Sequence, residues 1–374
     1  SKPATQITSG TNNYIFNITW SPDSKKILYN DRLSRLQYVD IDSKKVTLVT
    51  KGEYSLINNF TWAPDSKWIA YSTSDTNRFS VVYLYNLEQQ KITSVTDGWF
   101  SSYRPTFSND GKYLLYVSDR DFDPIYSNTE WNHAYTDMSR IYMVMLSKDT
   151  PSPFALKNDE IKAEAQPNKE VNNDKKNKDS KTKVSEKQEV SPIKIDLNDF
   201  DARTISLPTS VGRYFNVYCI DGKVYYNYYN SETQEFAAKM YDLEQQKETE
   251  LGTKMNFGIS ANGKKMLVRK GNDYAVIDLP KGKINIDKTI DLGNMKVWVD
   301  YRKEWKQIFD ESWRQMRDFF YVENMHGLDW NAIHDKYAQL VPYVNHRNDL
   351  TYIIGEMIGE LSIGHAYVNS GDKP

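Results

Sequence analysis

Asn59-Phe60-Thr61-Trp62-Ala63-Pro64-Asp65-Ser66-Lys67-Trp68-Ile69-Ala70-Tyr71 is the stretch on which the fold of this chain turns. A short strand-like segment ends on an aromatic residue, a tight turn follows, and an apolar run closes the unit. Pro64 presets φ at the second turn position, and Asp65 offers a short side chain that bonds nearby backbone. Lys67 to Tyr71 then reads as a strand buried on both faces. Upstream, Phe16-Asn17-Ile18-Thr19-Trp20-Ser21-Pro22-Asp23-Ser24-Lys25-Lys26-Ile27-Leu28-Tyr29 has the same grammar, as does Tyr103-Arg104-Pro105-Thr106-Phe107-Ser108-Asn109-Asp110-Gly111-Lys112-Tyr113-Leu114-Leu115-Tyr116 downstream. Two degenerate copies follow: Phe215 to Tyr226, turning at Asp221-Gly222, and Phe257 to Val268, turning at Asn262-Gly263.

Two further strands complete a unit, as Val81–Tyr85 and Lys91–Val95 do for the second. Four strands every 40 to 50 or so residues is the period of a propeller blade. A β-sandwich is the competing architecture, but sandwiches do not repeat one turn at fixed spacing. Gln6 to Gly10 reads as the last strand of a preceding blade. Five blades and a stray strand fit a seven-bladed propeller lacking its N-terminal part. The expected fold is therefore mainly β: a partial propeller of about five four-stranded blades over residues 1–299.

Composition agrees. With 27 Tyr, 14 Phe and 9 Trp, aromatics reach 13%, which suits pleated surfaces. The 374 residues are more than one compact domain usually needs. A net charge of −2 gives no global field toward nucleic acid or anionic lipid, so neither is expected as a partner. No apolar run is long enough for a transmembrane helix, and the first residues show no secretory signal. The cytoplasm is the favoured location, with the bacterial periplasm as the alternative. Cys219 is the one cysteine, which excludes an intrachain disulfide and a cysteine zinc cluster.

From Phe154 to Phe200 no aromatic residue intervenes, and residues 157–190 hold nine lysines and eight acidic residues. Such a segment buries too little apolar surface to offset its ordering entropy. It is expected to be a disordered-like insertion, residues 157–194, between the third and fourth strands of the third blade. Ile195-Asp196-Leu197 and Arg203 to Leu207 then resume the strand pattern. A lysine-rich binding tail is disfavoured by the near balance of charge.

At residue 300 the apolar period changes from two to 3.6. Trp305, Ile308, Phe309, Ser312, Trp313, Met316, Phe319 and Phe320 make one face of a helix of about twenty residues. Asp329 is placed to cap a second helix, and Asn348 or Asp349 a third that buries Leu350, Ile353, Ile354, Met357 and Leu361. Ala366-Tyr367-Val368 reads as the start of a strand. Residues 300–374 are thus expected to open an α/β domain.

Sites for chemistry are few. No Gly-x-Ser-x-Gly elbow, His-Glu-x-x-His, Walker or dinucleotide pattern occurs. Glu323 and His326 have the spacing of two metal ligands, but Gly327 interrupts the helix and no further ligand is evident. No metal and no cofactor are expected. Glu356 and Glu360 share a helix face, as paired carboxylates for acid–base work or, more simply, as a solvated face. His365 stands just past a helix in Gly364-His365-Ala366-Tyr367, where backbone freedom at Gly364 would present an imidazole to a cleft. A packed or surface histidine is the alternative.

The run Glu304 to Arg314, with Met325-His326-Gly327-Leu328-Asp329-Trp330, Tyr337, Arg347-Asn348-Asp349-Leu350 and Gly359 to Val368, resembles the first core segment of the tricorn proteases. The resemblance covers essentially the whole chain and is specific over residues 300–371. It implies a serine peptidase acting on peptides, homo-oligomeric when full length, with the propeller gating or binding substrate. It implies that His365 is the general base, and that a PDZ domain, a nucleophilic serine and an acidic partner follow outside this sequence. The fragment alone is then expected to be inactive. The archaeal type carries a serine just before this histidine; here that place is Gly364. A non-catalytic propeller adaptor for proteins or peptides is the alternative.

Residues 157–190 should be the first site of limited trypsinolysis, with the two halves remaining associated. Protection of their lysines under conditions that nick other loops would contradict this.

Overall fold

A computed structural model describes residues 3–9, 13–121, 125–126, 133–134, 137–155 and 192–371. Most of the charged insertion therefore lies outside the described residues. The chain divides into two compact units: Ser1–Gly10 with Ile15–Ile290, and Thr11–Tyr14 with Asp291–Pro374.

The first unit is a succession of antiparallel sheets. β1 (Ile15–Trp20), β2 (Lys26–Asp31), β3 (Arg35–Asp40) and β4 (Val46–Lys51) pair in order. β5 (Asn59–Trp62), β6 (Trp68–Ser74), β7 (Ser80–Asn86) and β8 (Lys91–Ser94) do the same. In the third sheet, β9 (Ser102–Phe107) and β10 (Tyr113–Ser118) are followed by a small hairpin, β11 (Ile125–Tyr126) with β12 (His133–Ala134). β13 (Arg140–Met145) and β14 (Thr204–Ser206) then complete the sheet. The insertion accordingly falls between third and fourth strands. β15 (Arg213–Ile220), β16 (Lys223–Tyr229), β17 (Phe236–Asp242) and β18 (Lys247–Thr253) form the fourth sheet. The fifth shows three strands among the described residues: β19 (Met255–Ile259), β20 (Lys265–Lys270) and β21 (Asp273–Asp278). Beyond β21, Ile290 N–H reaches Tyr274 O at 2.7 Å.

Strand period explains why the sheets stack as propeller blades. In β10, Leu114 and Tyr116 pack with the second sheet's Ala70, Val82 and Leu84. The alternate residues Leu115 and Val117 pack with the fourth sheet's Tyr214, Val217 and Tyr226. β6 is split likewise, Trp68 and Ala70 toward the third sheet and Ile69 and Tyr71 toward the first. A strand with both faces apolar needs a neighbour on each side, and each such side chain contributes about 1.5–3 kcal/mol on full burial. Where no described sheet covers a face, the same position is wet: Trp20 is 54% exposed and Trp62 only 6%.

The turn from first to second strand repeats its backbone bonds in the first, second, third and fifth sheets. Ser21 N–H donates to Lys26 O at 2.9 Å and Ser24 N–H to Ser21 O at 2.8 Å, with Ser24 at φ 62. Ser108 and Gly111 do the same at 2.9 and 3.0 Å, and Ser260 and Gly263 at 2.9 and 2.8 Å. Side chains reinforce the backbone. The Ser108 hydroxyl donates to Asp110 Oδ1 at 2.7 Å and accepts from Tyr113 N–H at 2.9 Å, while Asp110 Oδ1 also accepts from Lys112 N–H at 3.1 Å. In the fifth sheet Asn262 makes the same bonds with a neutral amide, to Ser260 at 2.8 Å and Lys264 N–H at 3.1 Å.

Several sequence expectations need correction. Residues 3–9 form no strand, since a fourth strand exists only as partner to a third. Ile195–Leu197 is irregular; Ile193, Ile195 and Leu197 instead plug the core between the second and third sheets.

The second unit begins with α1 (Tyr301–Phe319), its N-terminus capped by Asp300. Phe309 and Trp305 are buried against α2 (Trp330–Ala338) and α3 (Arg347–Gly359). Phe319, expected on the buried face, is exposed. Asp329 caps α2, accepting from Asn331 and Ala332 N–H at 3.1 and 3.0 Å. The cap of α3 is His346, not Asn348 or Asp349. Its Nδ1 accepts from Asn348 N–H at 3.2 Å, and Asp349 Oδ2 accepts from His346 N–H at 3.1 Å. An imidazole with one unprotonated nitrogen serves the role a serine or aspartate usually takes.

Burial raises the Asp110 pKa, but the Ser108 hydroxyl, Lys112 N–H and Lys112 ammonium outweigh it and hold the carboxyl below its ordinary value. Folding therefore gains from this group above about pH 3.8, and the gain is lost as pH falls through the lowered folded value. Ser108→Ala should cost about 1–2 kcal/mol in urea unfolding at neutral pH. Asp110→Asn, which copies Asn262, should cost less there and should flatten the acid limb of stability. An acid limb unchanged by Asp110→Asn would show that this carboxylate is not held as described.

Candidate active site

The candidate base is carried by the segment that leaves α3. α3 is fixed from below by Leu350, Ile354 and Met357, and Leu361 anchors the chain as it departs. Left-handed backbone at Ser362 (φ 48) breaks the helix direction. A second left-handed residue is His365 itself, at φ 59, whereas Gly364 is not left-handed. The expected freedom at Gly364 is thus not what presents the imidazole. Histidine is among the few non-glycine types enriched in this conformation, and it is held there at a cost of about 1–3 kcal/mol.

The segment after the turn alternates. Ala366 and Val368 join Ile363 and α3 residues Tyr352, Gly355, Glu356 and Gly359 in lining a groove of about 270 Å³. His365 and Tyr367 are exposed, and their side chains meet in a long contact from Tyr367 OH to His365 Nδ1 at 3.5 Å. Among the described residues His365 makes no ion pair. The ring is exposed, and no carboxylate among the described residues orients it. At Gly364 an added Cβ would meet nothing within 4 Å, so the serine of the archaeal type would fit without displacement. No strand forms at Ala366–Val368, because no described edge offers ladder partners.

The other sequence candidates fall apart on inspection of their contacts. His326 Nδ1 donates to Leu361 O at 3.2 Å and Nε2 faces Tyr321 OH at 2.5 Å. With both ring nitrogens occupied and Glu323 exposed, the pair is not a ligand set. Among the described residues no cluster of His, Cys, Asp and Glu suits a metal ion. Glu360 takes Lys336 Nζ at 2.5 Å and Tyr337 OH at 2.8 Å, and the lysine contact keeps its carboxyl below the usual range. Glu356 lines the groove, whereas Glu360 is engaged by Lys336 and Tyr337. His334 lies between Asp310 Oδ1 and Asp335 Oδ1, at 3.1 and 3.0 Å, packed on Trp313. The side chain of His133 lies outside the described residues. Sequence reasoning missed the groove, although the alternation of Ala366 and Val368 with His365 and Tyr367 carried its signal.

Comparison with known proteins gives two family matches along the chain. Residues 1–280 match the tricorn protease second beta propeller domain, and residues 301–359 match the tricorn protease C1 domain. His365 lies just beyond the second match. Tricorn protease homolog 1 of Streptomyces coelicolor is 28% identical over 304 residues, covering 76% of this chain and 27% of that protein. Tricorn protease of Thermoplasma acidophilum is 27% identical over 291 residues, covering 78% of this chain and 26% of that protein. The chain therefore spans about a quarter of the length of these relatives. A crystal structure of the tricorn protease superposes with a TM-score of 0.78 over 96% of this chain and 34% of that one. At 22% identity, that likeness speaks for the fold. With one family model matching residues 1–280 and a second matching residues 301–359, the chain belongs to the tricorn protease family.

Proposed function

We propose that this chain supplies the substrate-binding propeller and the general base of a serine peptidase that hydrolyses peptides. The observation that carries the reading is His365: an exposed imidazole held left-handed just past a packed helix, whose one contact among the described residues is the long one to neighbouring Tyr367. Strain kept at a solvent-facing titratable group suits a site waiting for a reacting partner. A serine outside residues 1–374 would be the nucleophile. His365 would take its proton as the Oγ attacks the peptide carbonyl and return that proton to the leaving amine. An acidic group from the same outside region would orient the ring, a role for which no described side chain is placed. The full-length protein is proposed to be a homo-oligomer.

Residues 1–374 alone should hydrolyse fluorogenic tri- and tetrapeptides at background rates, lacking nucleophile and oxyanion donors. In the full-length protein, His365→Ala should lower kcat by about 10³-fold or more with KM nearly unchanged, because the base acts in the chemical step. His346→Ala, which removes the α3 cap, should lower Tm and leave the chemical step intact. Normal kcat in His365→Ala, or loss only in proportion to unfolding, would favour a non-catalytic adaptor.

A further inference from the structure

Three successive residues between α1 and α2 have left-handed backbone: Met325 at φ 49, His326 at φ 56 and Gly327 at φ 83. Glycine takes this conformation at little cost, and histidine more readily than most types. Methionine seldom takes it, and runs of such residues are rarer still. The Met325 side chain is buried among the three helices, so packing holds the turn against its strain. Strain of this kind persists where the surroundings over-determine it, and it gathers at functional positions.

What the turn presents is the His326 ring. Phe320 and Tyr321, just past the end of α1, meet it edge-on with ring centroids 5.1 and 5.3 Å away. Nδ1 bonds the Leu361 carbonyl, just past the end of α3. A carbonyl has no proton to give, so Nδ1 carries the hydrogen. In the neutral ring Nε2 is then the acceptor, and Tyr321 OH donates to it. One imidazole thus joins the segments that leave α1 and α3.

Leu361 is where the chain departs from α3 toward His365. Its side chain is buried, its N–H donates to Ile358 O at 3.1 Å, and its carbonyl accepts from His326. The next residue, Ser362, is left-handed, and His365 follows three residues later. The peptide between Leu361 and Ser362 is planar, so fixing its carbonyl sets the direction of the exit segment. Among the described residues the His365 side chain contacts only Tyr367, at 3.5 Å, so its placement comes through the backbone.

We propose that His326 is a positioning residue for His365, holding the exit of α3 so that the base stands where a nucleophile can reach it. The inference rests on the reading of His365 as general base and adds the group that aims it. A tie that served stability alone would act on folding, whereas this one acts in the chemical step.

The test uses the full-length protein and fluorogenic tetrapeptides, with kcat, KM and Tm read for each variant. His326→Ala should lower kcat by about tenfold to a hundredfold with KM nearly unchanged, since a base displaced by about 1 Å loses rate and not ground-state binding. His326→Asn should recover most of that loss. Its amide nitrogen stands near the place of Nδ1, and asparagine accepts left-handed backbone. Added to His365→Ala, His326→Ala should change the residual rate little, because nothing is left to position. Tyr321→Phe, which removes one exposed hydroxyl, should lower kcat by about threefold, and it decides the matter if His326→Ala does not fold. Normal kcat in His326→Ala or Tyr321→Phe overturns the proposal. So does a loss that His326→Asn fails to recover, or an equal loss with and without His365. Normal kcat in His365→Ala overturns it together with the reading of His365 as base. A slow His365→Ala beside a normal His326→Ala overturns this inference alone.

Discussion

The hydrogen-bonded turn between first and second strands is the constraint from which the propeller follows. It satisfies backbone groups that a hairpin of this tightness would otherwise expose, and it does so with one short sequence reused. The same turns also join neighbouring sheets. Asp23 N–H donates to Ser66 Oγ at 3.0 Å, linking first and second. Asn109 N–H donates to Cys219 O at 2.9 Å, and its side chain exchanges two bonds with Asp221 at 2.8 and 3.0 Å, linking third and fourth. Local turn chemistry thereby fixes the register in which the apolar faces meet.

How much of this was legible depended on whether a residue's role was local. The turns were, because Pro22, Pro64, Asp110 and Gly263 act on their own backbone. Helix faces were, because Trp305, Phe309, Leu350 and Ile354 recur at helical spacing. Strands that need a distant partner were not: Gln6–Ser9, Ile195–Leu197 and Ala366–Val368 have strand-like composition and no ladder. His346 was missed as a cap because histidine is not among the usual capping types and only its Asp349 partner gave the motif away.

The site shows the same division. That a histidine follows α3 in a glycine-flanked turn was visible in Ser362 to Ala366, but which residue bears the left-handed backbone was not. The structure gives a left-handed backbone to His365 and also to His326, but three other histidines have a structural duty: His326 ties the end of α3, His334 bridges two aspartates, and His346 caps a helix. Among the described residues His365 has only its long contact with Tyr367.

The central claim is that His365 is poised for a serine supplied from elsewhere in the full-length protein. A crystal structure of that protein, with its reactive serine covalently phosphonylated, tests this directly. The account predicts an imidazole nitrogen of His365 within about 3 Å of an oxygen on the modified serine, at hydrogen-bonding distance for proton transfer. A different histidine in that position, or His365 still turned to solvent with its ring away from the serine, would contradict it.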